Sequence, residues 1–259
     1  MENKKIVVKV GTSTITHKTG KTNIAKMAKL VSVLADLKNA GYQIILVSSG
    51  AIAIGLSRLR IEERPKEAKY LQAASAVGQS EMMFLYDKLF SEYDIVVAQM
   101  LFTLNALNRD SSRRHLTDTF NQLLEYDCIP IINENDSVSI EELTGGDNDC
   151  LSAIVAKMIN ADLLVLLTDT DGLYDGNPVE NPEARLIERV SVIDDEIRHI
   201  AGGASPKGTG GFITKVKAAE IAMDAGIPVV IMNGSKPTGI YHVLNGESVG
   251  TYFEGKGEN

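Results

Sequence analysis

Six short runs of mostly branched apolar residues, at 6–10, 44–47, 95–97, 129–132, 163–167 and 229–231, punctuate this chain. Runs so brief and so uniformly apolar suit strands buried on both faces, as in a parallel sheet. Between them the apolar spacing changes to that of helices. Ile24, Met27, Leu30, Val31, Leu34 and Leu37 predict a helix that closes at Gly41, because glycine readily adopts the left-handed cap. Further helices are expected near 67–90, 111–126, 150–160 and 212–225. Parallel strands need crossover connections, so the alternation predicts an α/β fold: a three-layer αβα sandwich around a central, mainly parallel sheet.

With 259 residues, 44% of them hydrophobic, the chain can bury a substantial core. A formal charge of -8 argues against nonspecific nucleic-acid binding, which needs a surplus of Lys and Arg. Any anionic ligand must therefore meet positive groups gathered locally. The opening residues lack the apolar region of a signal peptide, and no apolar run reaches the roughly 18 residues of a spanning helix. No membrane association and a cytoplasmic location are expected. Cys128 and Cys150 lack the spacing of a zinc or redox site and are expected to be buried free thiols.

In open α/β sheets ligands gather beyond the carboxyl ends of the strands. After the first run stand Gly11, Thr12 and Ser13, and after the second Ser48, Ser49, Gly50 and Ala51. The fourth run is followed by Asn133, Glu134, Asn135 and Asp136, the fifth by Thr168 and Asp169, and the last by Asn233 and Gly234. A second acidic-amide cluster, Gly146-Asp147-Asn148-Asp149, precedes an apolar helical stretch. Such groups suit an ammonium, a carboxylate or a hydrated magnesium ion, and Asp and Asn equally suit the start of a helix.

Lys207-Gly208-Thr209-Gly210-Gly211 leads into a helical segment carrying Lys215 and Lys217. Such a stretch can offer backbone N–H groups and a cation to phosphate, or be simply a glycine-rich loop. No Gly-x-x-x-x-Gly-Lys-Ser/Thr and no Gly-x-Gly-x-x-Gly after the first strand is present, which disfavours a P-loop enzyme or a Rossmann dehydrogenase. Lys9 interrupts an apolar strand. It either projects its ammonium into a site or guards a sheet edge.

Taken in order, Lys9-Val10-Gly11-Thr12-Ser13, Ser48-Ser49-Gly50-Ala51, Asn133-Glu134-Asn135-Asp136, Gly146-Asp147-Asn148-Asp149, Thr168-Asp169 and Gly208-Thr209-Gly210-Gly211 resemble the amino acid kinase family. The likeness runs from about Lys5 to Tyr252 and is strongest to members that phosphorylate L-glutamate. It implies transfer of a phosphoryl group from ATP, with Mg2+, to the side-chain carboxylate of L-glutamate, giving L-glutamyl 5-phosphate for proline biosynthesis. It also implies that Lys9 and Lys215 flank the transferred group and that Asp149 holds both ammonium groups. Ser49, Asp136 and Asn148 match positions that bind glutamate. Lys9, Thr168, Asp169, Thr209, Gly210, Gly211, Phe212, Ile213, Thr214 and Lys215 match the ATP site; no protein ligand of magnesium is assigned.

The resemblance implies one kinase domain over 1–259, with an amino-acid-binding lobe to about 160, a nucleotide-binding lobe beyond it, and no PUA domain. A homo-oligomer is expected, with a glutamyl phosphate reductase as the plausible recipient of the labile product. The segment 108–119 departs from the family pattern, which leaves proline feedback inhibition open. Rivals are an acetylglutamate kinase, an aspartokinase or a noncatalytic amino-acid sensor on the same fold. Against the first two, the first strand ends Lys-Val-Gly-Thr-Ser rather than in a Gly-Gly pair; a sensor would not need both lysines and the glycine loop.

Overall fold

The computed structural model describes residues 4–107, 109–138, 148–178, 180–202 and 211–256. In chain order the elements are β1 (Lys5–Val10), α1 (Thr12–Ile15), α2 (Ile24–Asn39), β2 (Gln43–Ser48), α3 (Ala51–Arg58), α4 (Ala68–Ser91), β3 (Val97–Phe102), α5 (Leu104–Leu107) and α6 (Asp110–Glu125). There follow β4 (Ile129–Glu134), α7 (Asn148–Met158), β5 (Leu163–Thr168), β6 (Arg189–Val190), α8 (Asp195–Gly202), α9 (Gly211–Met223), β7 (Val229–Asn233), α10 (Gly239–Leu244) and β8 (Thr251–Phe253). The strands form one sheet in the order β3-β4-β2-β1-β5-β7-β8-β6, with helices on both of its faces. The sheet is mainly parallel; β8 pairs antiparallel with β7 and parallel with β6.

All six expected strands form, five of them at or within two residues of their runs. The run at 95–97 is the exception. Asp94 turns with a φ of 57° and the Ile95 N–H donates to Phe90 O at 3.2 Å, so Ile95 closes the turn that follows α4. β3 instead continues to Phe102, in register with β4 from Val97 opposite Ile129 to Phe102 opposite Glu134. It is an edge strand in which Gln99 is exposed and Met100 buried, an alternation weaker than the continuous apolar runs of the interior strands.

The chain divides into two compact units, one formed by 1–5 and 10–148, the other by 6–9 and 149–259. In the first unit Asn23 caps α2 by accepting the Lys26 N–H at 3.1 Å. The helix ends at Asn39, and Gly41 takes the left-handed conformation at φ 95°, as its spacing predicts. α3 and α4 touch backbone to backbone. A Cβ on Gly55 would lie 1.7 Å from Ala74 O, and one on Gly78 1.8 Å from Ala51 O. Ile44, Ile45, Tyr86, Phe90, Phe120 and Ile131 fill this unit's core. In the second unit, 164–167 of β5 and 229–231 of β7 are fully buried, with Leu151, Val155, Ala218 and Phe253.

Cys128 and Cys150 are free thiols but half-buried rather than buried. Cys128 lies before β4, where its Sγ is 3.7 Å from Tyr126 O, so the strand shields only the residues after it.

Candidate active site

Of the two acidic-amide clusters, Asn133 and Glu134 close β4 itself instead of standing beyond it. Asn148 and Asp149 open α7. Gly146 and Asp147 lie outside the described residues.

In the first unit the polar groups form a linked, buried set. Asn148 Nδ2 donates to Ser49 Oγ and to Asn133 Oδ1, both at 2.9 Å. Asn133 Oδ1 also accepts the Glu134 N–H at 3.0 Å, and Asn133 Nδ2 donates to Gln79 Oε1 at 3.1 Å. Asp136, 2% exposed, accepts through Oδ2 from Ser75 Oγ at 2.7 Å. Ser49 and Asn148 are thus brought into direct contact, while Asp136 is held by Ser75 of α4. Beneath them Ser48 Oγ meets Tyr86 Oη at 2.9 Å and donates to the Ser49 carbonyl at 3.2 Å. Burial pushes the Tyr86 phenol far above its ordinary pKa, the Ser48 hydrogen bond opposing weakly, so Tyr86 acts as a neutral strut.

Gly50 joins these residues to α3 with a φ of 112°, a conformation that L side chains rarely adopt, and its N-cap position turns the chain directly after Ser49.

In the second unit Asp149 is the hub. Its Oδ1 lies 2.6 Å from Lys9 Nζ and its Oδ2 3.0 Å from Lys215 Nζ. Thr214 Oγ1 donates to Oδ2 at 2.9 Å. Lys9 is 6% and Asp149 2% exposed. β1 is an interior strand of the sheet, so Lys9 does not guard an edge. Burial by itself would raise the Asp149 carboxyl pKa. The charges and hydrogen bonds of Lys9 and Lys215 outweigh it and hold the group below its ordinary 3.8. Two cations around one carboxylate leave a net positive centre in an acidic chain, which is what a polyphosphate requires.

Thr168 ends β5 and is buried; its hydroxyl donates to Asp169 Oδ1 at 3.3 Å and its carbonyl accepts the Gly234 N–H at 2.7 Å. Asp169 is exposed. α9 starts at Gly211, so Phe212, Ile213, Thr214 and Lys215 form its first turns; the first three are half-buried and Lys215 is buried. Thr209 and Gly210 lie outside the described residues. Among the described residues no group of three or more His, Cys, Asp or Glu side chains is placed to hold a metal. Among them, too, no helix is long and apolar enough to cross a membrane.

Sequence reasoning assigned no role to Ser75, Gln79 or Tyr86. The available signal was two polar residues four apart on a helix face that otherwise buries Leu71, Ala74, Met82 and Leu85.

The chain is similar to known proteins in sequence and in fold. The chain is 50% identical over 250 residues to the glutamate 5-kinase of Clostridium acetobutylicum, covering 96% of this chain and 94% of the relative. It is 45% identical over 260 residues to the glutamate 5-kinase of Clostridium perfringens, covering 98% and 97%. The glutamate 5-kinase of Carboxydothermus hydrogenoformans is 48% identical over 252 residues, 96% of this chain but 68% of the relative. In fold, the chain superposes on UMP kinase from Ureaplasma parvum with a TM-score of 0.65 at 13% identity, over 98% of this chain and 100% of that one. Carbamate kinase from Giardia lamblia bound to AMP-PNP gives a TM-score of 0.68 at 18% identity, over 97% and 98%. Residues 4–233 match the model of the amino acid kinase family, and the chain belongs to that family.

Proposed function

We propose that this chain is a kinase that transfers the γ-phosphoryl group of ATP to the side-chain carboxylate of L-glutamate. A carboxylate oxygen bonds to the γ-phosphorus, the bond from that phosphorus to the bridging oxygen breaks, and L-glutamyl 5-phosphate and ADP result, opening proline biosynthesis. Relatives named glutamate 5-kinase at 45–50% identity over nearly the whole chain support the acceptor. The observation that carries the chemistry is the buried Lys9–Asp149–Lys215 arrangement.

A glutamate carboxyl with a pKa of about 4.3 is ionised at neutral pH, so the nucleophile needs no general base. The obstacle is the approach of two anions and the charge spread over the transferring group, which fixed cations and orientation must overcome. Lys9 and Lys215 would neutralise that charge, and Asp149 holds both ammonium groups in place. Holding reactants in line can contribute on the order of 7–11 kcal/mol, which gives positioning residues most of the task. Magnesium, arriving with ATP, supplies further neutralisation of the phosphates.

The unit built from 10–148 is assigned to the amino acid, with Ser49, Asp136 and Asn148 as its contacts. The unit built from 149–259 with Lys9 is assigned to the nucleotide, through Thr168, Asp169 and the stretch 209–215. Neighbouring residues Asn148 and Asp149 therefore serve different substrates. The reaction draws on the cytoplasmic ATP pool, and its acyl phosphate is labile enough that a glutamyl phosphate reductase is the proposed consumer. A homo-oligomer is supported by Tyr70, Val77 and Phe84, exposed at seven-residue spacing along α4.

Purified chain with Mg2+ and ATP should release ADP and form hydroxylamine-trapped acyl phosphate with L-glutamate. N-acetylglutamate or aspartate should give far less. Acyl phosphate formed only with one of those two would transfer the assignment to that acceptor.

A further inference from the structure

Two buried polar atoms in the amino-acid unit, Gln79 Nε2 and Asp136 Oδ1, have no hydrogen-bond partner among the described residues. A buried polar group left unpaired is costly, so each calls for a ligand or an explanation. The orientation of the Gln79 amide follows from its neighbours. Asn133 Oδ1 is already used by the Glu134 N–H and Asn148 Nδ2, so Asn133 Nδ2 points at Gln79. Gln79 must answer with its oxygen, which leaves its NH2 group unused.

The two unpaired atoms are complementary in kind. One is a neutral donor and the other belongs to a carboxylate. Both depend on one face of α4: Gln79 lies one turn after Ser75, and Ser75 fixes Asp136 by donating to Oδ2 at 2.7 Å, which commits Oδ1 to something else. A donor and an anion presented together suit the α-carboxylate and α-ammonium of an amino acid.

We infer that Gln79 is a specificity-determining residue that donates to the α-carboxylate of the acceptor, and that Ser75 is a positioning residue that turns Asp136 toward its α-ammonium. The inference rests on the proposed glutamate kinase activity and names how the free amino-acid head is read. It accounts for a glutamine buried on a helix face that otherwise holds mainly apolar residues.

The test compares three acceptors with Mg2+ and ATP: L-glutamate, 4-aminobutyrate, which lacks the α-carboxylate, and glutarate, which lacks the α-ammonium. Gln79→Glu is the decisive variant, because it keeps an oxygen for Asn133 while removing the donor; Gln79→Leu is its uncharged companion. Both should raise the KM for glutamate and glutarate about 10- to 100-fold, the loss of a hydrogen bond to a charged group. The KM for ATP, and kcat/KM for 4-aminobutyrate, should stay within about twofold. If 4-aminobutyrate turns over too slowly, its inhibition constant against glutamate gives the same reading.

Ser75→Ala should weaken glutamate and 4-aminobutyrate while sparing glutarate, and Ser75→Thr should restore both. Equal losses on all three acceptors in Gln79→Glu, or none on glutamate, would overturn the role of Gln79. Equal losses on all three in Ser75→Ala would overturn that of Ser75. A wild-type chain that forms no acyl phosphate with glutamate would instead overturn the activity on which both rest.

Discussion

Asp149 has to satisfy two buried lysines at once, and its own ionisation depends on them. Asp149→Asn would leave two buried ammonium groups without their counter-ion, a change expected to cost about 3 kcal/mol in urea unfolding. The sign of the pH effect follows from the depressed pKa. Below the ordinary 3.8 the unfolded chain binds the proton that folded Asp149 refuses. The stability this group contributes is therefore fully present above that value and falls as pH drops through its lower folded pKa. Urea midpoints measured from pH 5 downward should show a steeper acid loss in wild type than in Asp149→Asn. Lys215→Ala should lower kcat about 100- to 1000-fold with a near-unchanged far-ultraviolet spectrum, because it removes fixed charge at the reacting phosphate. Steady-state ADP release checks it; unaltered kcat would remove Lys215 from the chemistry. Lys9 was legible as an anomaly, a lysine in an apolar strand, whereas Gln79 looked like one more residue of a helix.

Helix α4 carries the first unit, here proposed to bind the amino acid, because of how closely it lies against α3. Neither Gly55 nor Gly78 has an unusual φ, so the requirement at these positions is space for backbone contact. Gly78→Ala would place a methyl group within 2 Å of the Ala51 carbonyl, where a close-packed interior can respond only by shifting a helix. The expected destabilisation is about 2–3 kcal/mol or more by thermal or urea unfolding. Gln79 follows directly in sequence and Ser75 precedes by three, so the KM for glutamate should rise well before the KM for ATP does. Equal rises would mean that α4 supports both substrates. At this scale the sequence showed α2, α4, α6, α7 and α9 by their periodicity, with ends within a few residues, but not the shorter α1, α3, α5, α8 and α10. It hid β6 and β8, whose two and three residues are too few to show a period, and it blurred β3, whose edge position weakens its apolar signal.

Across the whole molecule, the charge of -8 and the pI of about 5.1 set the long-range behaviour, while the positive centre at Lys9 and Lys215 is buried. The intact protein should pass through a heparin column at pH 7.5 and low salt without retention, since a polyanion meets a net negative surface. Salt-dependent retention would point to a local basic face that the net charge conceals. The sequence by itself determined the architecture and the order of the candidate site motifs, because strand and helix periods and strand-end chemistry are local properties of the chain. Only the tertiary structure decided the pairings of Asn148 with Ser49 across 99 positions and of Asp136 with Ser75 across 61, whereas that of Lys215 with Asp149 across 66 was already implied by the family resemblance. A hydrogen bond depends on which atoms the packed elements bring within reach, and a donor left unused, such as that of Gln79, can be recognised only when every neighbour's bond is known.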